Sequence, residues 1–407
     1  MLAHTLKTAL KVFLRRKFFT GVNLFGTALT LLVLVVATAL LEHTIGPHAP
    51  ELNGDRSLGV FNAKLRGDHY ATNGPPGWKL LDLTVHGLPG AERVSIHSGF
   101  APVATYQTGR KVDFYLKRTD AEFFRVFALR FLEGGPFGEE EVKTAARVAV
   151  LNASTKSKLF GADPAVGRTV ETDGQRFRVV GVVEDVPSLR LTVFSDVWVP
   201  VTTARGDGYK QELIGSFLAT IVGRTRADLP GIREEFRRRV AAVPLPKPGE
   251  RLECAAETYV EAVAREFGFD ENGTLAMTAI ALALALLFMA LPAINLVNLN
   301  VSRMLERASE IGVRKSFGAT SRRLVGQFVL ENVLLSLTGG MLGLLASLAV
   351  LAVINANDFI PYAKVGLNLP VFAAGLGFAL VFGVLSGAYP AFHMSRLHPV
   401  TALRGGN

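Results

Sequence analysis

Four stretches of the 407-residue chain are apolar for close to twenty residues or more: Phe25–Leu41, Leu275–Leu299, Val333–Ile354 and Val371–Tyr389. About twenty such residues cross the hydrocarbon of a bilayer, so each predicts a membrane helix. From Glu42 to about Asn272 no run is long enough, and the pattern changes to the short elements of a water-exposed domain. Trp78–Val85 has helical spacing. Ser154–Phe160 is a second short helix that ends in the turn Gly161–Pro164, and Leu229–Val243 is a helix with an Arg-rich face. Alternation or continuous apolar character predicts strands near Val94–Ile96 and at Arg147–Leu151, Gln175–Val183, Ser195–Val201 and Phe217–Gly223, with another opening at Val60–Asn62. The remainder of Asp55–Pro76 reads as a loop.

Several positions refine the membrane segments. Leu2–Phe19 carries five Lys/Arg, no acid and an apolar stripe, which predicts an amphipathic helix on the inner leaflet. The first span follows at once. Although Ala37-Thr-Ala39 has the form of a cleavage site, the apolar run is too long for a signal peptide, and a retained anchor is expected. Pro292 removes a backbone hydrogen bond inside the second span and predicts a kink near Phe288–Pro292. Gly339 and Gly343 form a G-x-x-x-G in the third span. Ala379, Gly383 and Gly387 repeat the idea in the fourth, where small residues let helices approach.

Charge then fixes the orientation. Of 44 Lys/Arg and 35 Asp/Glu, 30 and 31 lie between Glu42 and Thr274, which leaves 14 and 4 for the membrane-flanking segments. An excess confined to those flanks is a signature of topology with the basic loops inside, and it argues against nucleic-acid binding. Both termini and the loop after the second span are therefore expected in the cytoplasm. That loop, Ser302–Asn332, has six Lys/Arg, and Glu306, Glu310 and Arg314 fall on one helical stripe. Gly318-Ala-Thr-Ser321 then supplies a helix stop and a new N-cap. A single Cys254 excludes an intrachain disulfide framework, and the scattered histidines, without an H-E-x-x-H, give no metal site. No G-x-x-x-x-G-K-[ST] occurs, and no nucleophile, base and orienter appear together, so the chain is not expected to be an enzyme.

The string Glu310-Ile-Gly-Val-Arg-Lys-Ser-Phe-Gly-Ala-Thr320, followed by Gln327-Phe-Val-Leu-Glu331, closely resembles the cytoplasmic loop of the FtsX/MacB superfamily of ABC transporter permeases. Arg147-Val-Ala-Val-Leu151, Leu159-Phe-Gly161, Asp163-Pro164, Gly167-Arg168, Gly174 and Val179-Val-Gly-Val-Val-Glu-Asp185 follow one another as in the MacB-type periplasmic domain. Ala388-Tyr-Pro390 through Arg404 is similar to the family's closing motif.

The resemblance implies a four-helix membrane protein with a large α+β extracytoplasmic domain inserted between helices 1 and 2. In segments, residues 1–19 are the amphipathic helix, 20–43 the first span, 44–272 the external domain and 273–300 the second span. Residues 301–324 are the coupling loop, 325–355 the third span, 356–370 an external loop, 371–390 the fourth span and 391–407 the cytoplasmic tail. The external domain would comprise a porter subdomain, Ser57–Tyr115 with Leu191–Phe267, interrupted by a sabre-like piece over Leu116–Arg190. Glu310, Ile311, Gly312, Arg314, Lys315 and Gly318 would form the helix that docks on a separate cytoplasmic ATPase, which alone would hold ATP and magnesium. Gly339, Gly343, Gly383 and Gly387 would serve helix packing. The implied function is mechanotransmission in the bacterial inner membrane by a homodimer or heterodimer, for export or extraction of a hydrophobic, peptide or lipoprotein cargo. Membrane lipid and a periplasmic adaptor are the further partners implied. The alternative class is an ATP-independent membrane receptor with a ligand-sensing external domain.

Overall fold

The structure, a computed structural model, describes residues 17–45, 51–107, 110–269, 273–287, 290, 320–357 and 359–395. The predicted amphipathic helix falls almost wholly outside these residues, as do the kink at Phe288–Pro292 and the last part of the tail. The described chain forms a helical unit, Met1–Glu42 with Leu275–Asn357 and Val365–Asn407, and an α+β unit, His43–Thr274 with Asp358–Lys364.

In chain order the helices are α1 (Lys17–Ile45), α2 (Trp78–Val85), α3 (Phe123–Val126), α4 (Glu139–Lys143), α5 (Ala153–Phe160), α6 (Leu229–Ala241), α7 (Tyr259–Glu266), α8 (Gly273–Leu287), α9 (Ser321–Ala356) and α10 (Leu369–Ser395). The segments Thr20–Thr44 of α1 and Val325–Ala356 of α9 are long and apolar enough to cross a membrane. Gly273–Leu287 and Leu369–Leu385 are shorter apolar helices among the described residues. Along α1 the buried positions are Thr20, Asn23, Thr27, Leu31, Val35 and Ala39, a stripe at helical spacing. Phe18, Phe25, Leu29, Val33 and Leu41 are exposed outside it, as expected of a helix whose other faces meet lipid.

The strands are β1 (Ser57–Val60), β2 (Ala63–Arg66), β3 (Ala71–Gly74), β4 (Ala91–Gln107), β5 (Arg110–Thr119), β6 (Phe131–Gly134), β7 (Val148–Asn152), β8 (Thr169–Thr172), β9 (Gln175–Val183), β10 (Val197–Pro200), β11 (Phe217–Gly223) and β12 (Arg251–Cys254). Nine of them make one sheet in the order β1-β11-β4-β5-β10-β7-β9-β6, with β8 paired to β9. The pairs β5–β10 and β7–β9 are parallel and the others antiparallel. Strands β7 and β10 are buried at every residue, which explains their continuous apolar sequences.

Three hydrophobic clusters line this sheet. One joins β1, β11 and β4 to α2 and to the Ile232, Phe236 and Val240 face of α6. The other two surround the β7–β9–β10 half, around Phe123, Phe124 and Trp198 and around Phe177, Val179 and Leu151. The boundary expected at Leu116 falls inside β5, so a single sheet runs through both expected subdomains, and two of the three clusters draw residues from both.

The loop expected over Asp55–Pro76 is corrected: it contains β1, β2 and β3, and β12-β2-β3 form a second small sheet. Residues 63–66 and 71–74 are short and only Ala63 among them is buried, so they present no period. Their stabilising partner, Arg251–Cys254, lies far along the chain. Cys254 sits in β12, and burial pushes its thiol up to about 12.

Candidate functional site

Residues 359–364 join α9 to α10 in sequence but fold as part of the α+β unit. The turn closes with the Ala363 amide donating to the Ile360 carbonyl at 3.1 Å, and it sets Tyr362 at φ 62°. A side-chain-bearing residue in that region carries a strain on the order of 1 kcal/mol, which surrounding contacts must offset. They do so in two ways. The Ser188 amide donates to the Pro361 carbonyl at 3.0 Å, and the Tyr362 hydroxyl donates to Asp196 Oδ1 at 2.9 Å.

Asp196 is buried, and its socket is built by the sheet itself. Asn152 Nδ2 at the end of β7 donates to the same Oδ1 at 2.9 Å, and the Tyr115 amide of β5 donates to Oδ2 at 2.8 Å. Asn152 also caps α5 by accepting from the Thr155 amide at 2.8 Å. The Tyr362 ring lies against Phe194, 6.3 Å between centroids, with Lys158 Nζ 5.8 Å from its centre. Burial, with Asp196 next in weight, raises the Tyr362 phenol, which therefore remains a donor.

A second polar group occupies the interior between β4 and β5. Lys117 is fully buried, and its ammonium donates to the carbonyls of Leu191 and Thr192 at 3.2 and 2.5 Å. Burial lowers it to about 7, against a smaller opposing effect of Glu51. His97 is pushed down to about 3 by burial and by Lys117, and is neutral. Asp120 is raised to about 6 by burial although the Ile96 amide and Ser95 hydroxyl donate to it at 2.6 and 2.7 Å. Nearby, buried Arg190 pairs with Glu51 at 2.6 Å on the wall of a cavity of about 100 Å³. Among the described residues no group of three or more His, Cys, Asp and Glu could hold a metal ion.

Within the helical unit, glycines mark the closest approaches. A Cβ added at Gly339 would lie 2.8 Å from Thr27 Cβ, and one at Gly343 would lie 3.1 Å from the Ala28 carbonyl oxygen. At Gly383 it would meet Ser336 Oγ at 2.7 Å, and at Gly375 it would meet Leu31 at 2.8 Å. Gly387 lies in α10. Glu310, Ile311, Gly312, Arg314, Lys315 and Gly318 lie outside the described residues; α9 begins at Ser321, with Thr320 at its N-cap.

Tyr362, Asp196, Asn152 and Lys117 escaped the sequence reading. A lone tyrosine in a short external segment carries no periodic signal, and Asp196 stands out only as a charge inside the apolar run 193–201.

Two family matches cover most of the chain: residues 20–239 match the MacB-like periplasmic core domain, and residues 282–399 match the FtsX-like permease C-terminal region. A macrolide export ATP-binding/permease protein MacB from Burkholderia cenocepacia is 29% identical over 285 residues, which cover 69% of this chain and 40% of that protein. The protein of the same name from Chromobacterium violaceum is 24% identical over 395 residues, covering 94% of this chain and 58% of that one. The chain thus spans only 40 to 58% of the length of these relatives. The solved periplasmic region of MacB from Actinobacillus actinomycetemcomitans is 18% identical, with a TM-score of 0.37, over 49% of this chain and 89% of that one.

Proposed function

The chain belongs to the family of ABC transporter permeases that combine a MacB-like periplasmic core domain with an FtsX-like permease region, and on that premise we propose that it couples ATP hydrolysis on a separate cytoplasmic ATPase to movement of its α+β domain. In this reading α1, the segment 273–300, α9 and α10 are four spans, both termini are cytoplasmic, and two permease chains act together. Residues 301–324 form the lever, in which Glu310, Arg314 and Lys315 meet the ATPase while Ile311, Gly312 and Gly318 shape the helix and its stop. The glycines at 339, 343, 383 and 387 keep the spans close enough to move as a body. The cargo is hydrophobic, peptide or lipoprotein in class, and a periplasmic adaptor would receive it.

The observation that carries this reading is the docked segment 359–364. The chain enters the α+β unit from α1, leaves it into α8 and returns to it between α9 and α10. The returning segment, fastened by Tyr362 on Asp196 and joined to helices at both ends, suits a domain that is pulled and would be superfluous for one merely tethered.

Reconstitution with the cognate ATPase tests the lever. Glu310→Lys with Arg314→Glu should abolish ATPase stimulation at normal membrane expression, since intrahelical charge effects are a few tenths of a kcal/mol and interfacial ones several. Full stimulation by that variant would remove the loop from the mechanism. Tyr362→Phe should leave stimulation intact and slow transport; unchanged transport would discard that role of the returning segment.

A further inference from the structure

A groove of about 390 Å³ opens in the α+β unit where the ladder between β4 and β11 ends. The pairing of β4 with β5 shifts between His97 and Phe100, and the β4–β11 ladder ends at Ser98 opposite Phe217. Such a bulge turns the strand away and leaves room beside it. The far wall is the β8–β9 hairpin, whose two-residue turn Asp173-Gly174 has φ of 48° and 64°, and the segment that follows β10.

The lining divides into an aromatic part and a cationic part. Tyr209 and Phe217 lie 5.5 Å apart, Trp78 meets both edge-on at 5.8 and 5.4 Å, and Phe100 also lines the groove. Arg118 and Arg205 share one carboxylate. Arg118 donates to Asp173 Oδ2 at 2.6 Å, and Arg205 lies 3.7 Å from Oδ1. Two guanidinium groups against one carboxylate leave a positive charge in the groove. Two donors are also unused: Arg118 Nε and the Tyr209 hydroxyl are shielded from solvent and have no hydrogen-bond partner among the described residues. Arginine donates only, and desolvated donors beside a cation call for an anionic acceptor.

We propose that this groove is a binding site for a small amphipathic carboxylate, its acid group held by Arg118 and Arg205 and its apolar body laid on Phe100, Tyr209 and Phe217. The volume falls at the lower end of the range for small-molecule sites, which suits a single ring with a short acid chain. The assignment goes beyond the transport reading and is independent of it, because binding can be measured with no ATPase present.

The probe is 4-phenylbutyrate, titrated onto the full chain in lipid nanodiscs, with 4-phenylbutylamine as the control of equal body and opposite charge. Trp78 touches the groove's aromatic residues and reports occupation by its fluorescence; Trp198 is fully buried and gives a constant background. The acid should give a saturable change, and the amine should bind at least about tenfold more weakly, the effect expected of losing one charge-assisted pair. Arg118→Gln should weaken the acid by a similar factor and leave the amine unaffected. If Arg118→Gln lacks a cooperative melt, Arg205→Gln, whose side chain is two-thirds exposed, makes the same comparison. Equal response to acid and amine, a linear response that tracks partition into the lipid, or acid binding that survives loss of the arginine would overturn the proposal.

Discussion

Where α1 and α9 meet, what matters is the absence of a side chain: a methyl group at Gly339 would collide with Thr27. At Asp196 what matters is the presence of one, since a single carboxylate gathers donors from β5, β7 and the segment 359–364. The helical unit holds together by surface fit, because in lipid there is little hydrophobic gain in bringing helices together and close backbone approach supplies the attraction. The α+β unit buries its apolar clusters from water and can then accommodate fixed polar groups inside, provided each finds a partner. The first kind of interior is held by close packing along a seam of small residues. The second specifies one arrangement.

Substitutions can break or sharpen this contrast. The largest effect is expected at Asp196→Ala, which strands the three donors of one buried carboxylate and should lower the stability of the α+β unit by about 3 to 5 kcal/mol. The measurement is hydrogen exchange on β7 and β10 in the full chain. Protection equal to that of the native chain would mean that the socket is not holding the sheet.

Next comes Lys117→Met, which exchanges a buried ammonium for an apolar chain. The folded Lys117 titrates near 7 and the unfolded one near its ordinary 10.5, so between those values the unfolded chain binds more protons and native stability rises with pH. The charged lysine therefore opposes folding in full below about pH 7, and the opposition fades as pH climbs toward 10.5. The Met variant should gain on the order of a few kcal/mol at pH 6 and progressively less at pH 9, read from paired melts. A difference constant across that range would show that Lys117 is not desolvated.

Gly339→Leu should cost about 1 to 3 kcal/mol in detergent melts through overpacking against Thr27. Gly377→Ala, on the same class of helix but with open space around the new methyl, should be neutral or stabilise by up to about 1 kcal/mol. Equal effects at the two positions would erase the distinction between seam and surface. The smallest effect is expected at the exposed Arg237–Glu234 pair of α6, where Arg237→Ala should leave the melt unchanged.

How much of this was legible in the sequence follows the same division. Helix α2 and strands β9 and β11 carry the bounds read from periodicity, because their burial alternates or continues within one short window. Strand β4 was legible only near Val94–Ile96. Its remainder, through Gln107, is a hairpin arm paired with β5, and exposed residues interrupt its pattern. Strand β8 is announced by its turn: Asp173-Gly174, both at positive φ, is the pair a tight hairpin requires. Nothing local announced the groove, since Phe100, Arg118, Asp173, Arg205 and Phe217 come from five separated segments. The segment expected to be a coupling loop, which spoke most clearly in the sequence through Glu310–Thr320, lies outside the described residues up to residue 319.

Tyr362 also bears on how the protein is made. Asp196 leaves the ribosome long before the hydroxyl that caps it, which is encoded 166 residues later and only after the α9 sequence has emerged. Until then the carboxylate holds Asn152 and the Tyr115 amide but lacks its last donor, and Phe194 lacks its covering ring. Completion of the α+β unit is thus tied to synthesis of a late hydrophobic segment. A nascent chain that stalls before α9 displays an unfinished socket, a mark by which quality-control proteases could distinguish it from the finished permease.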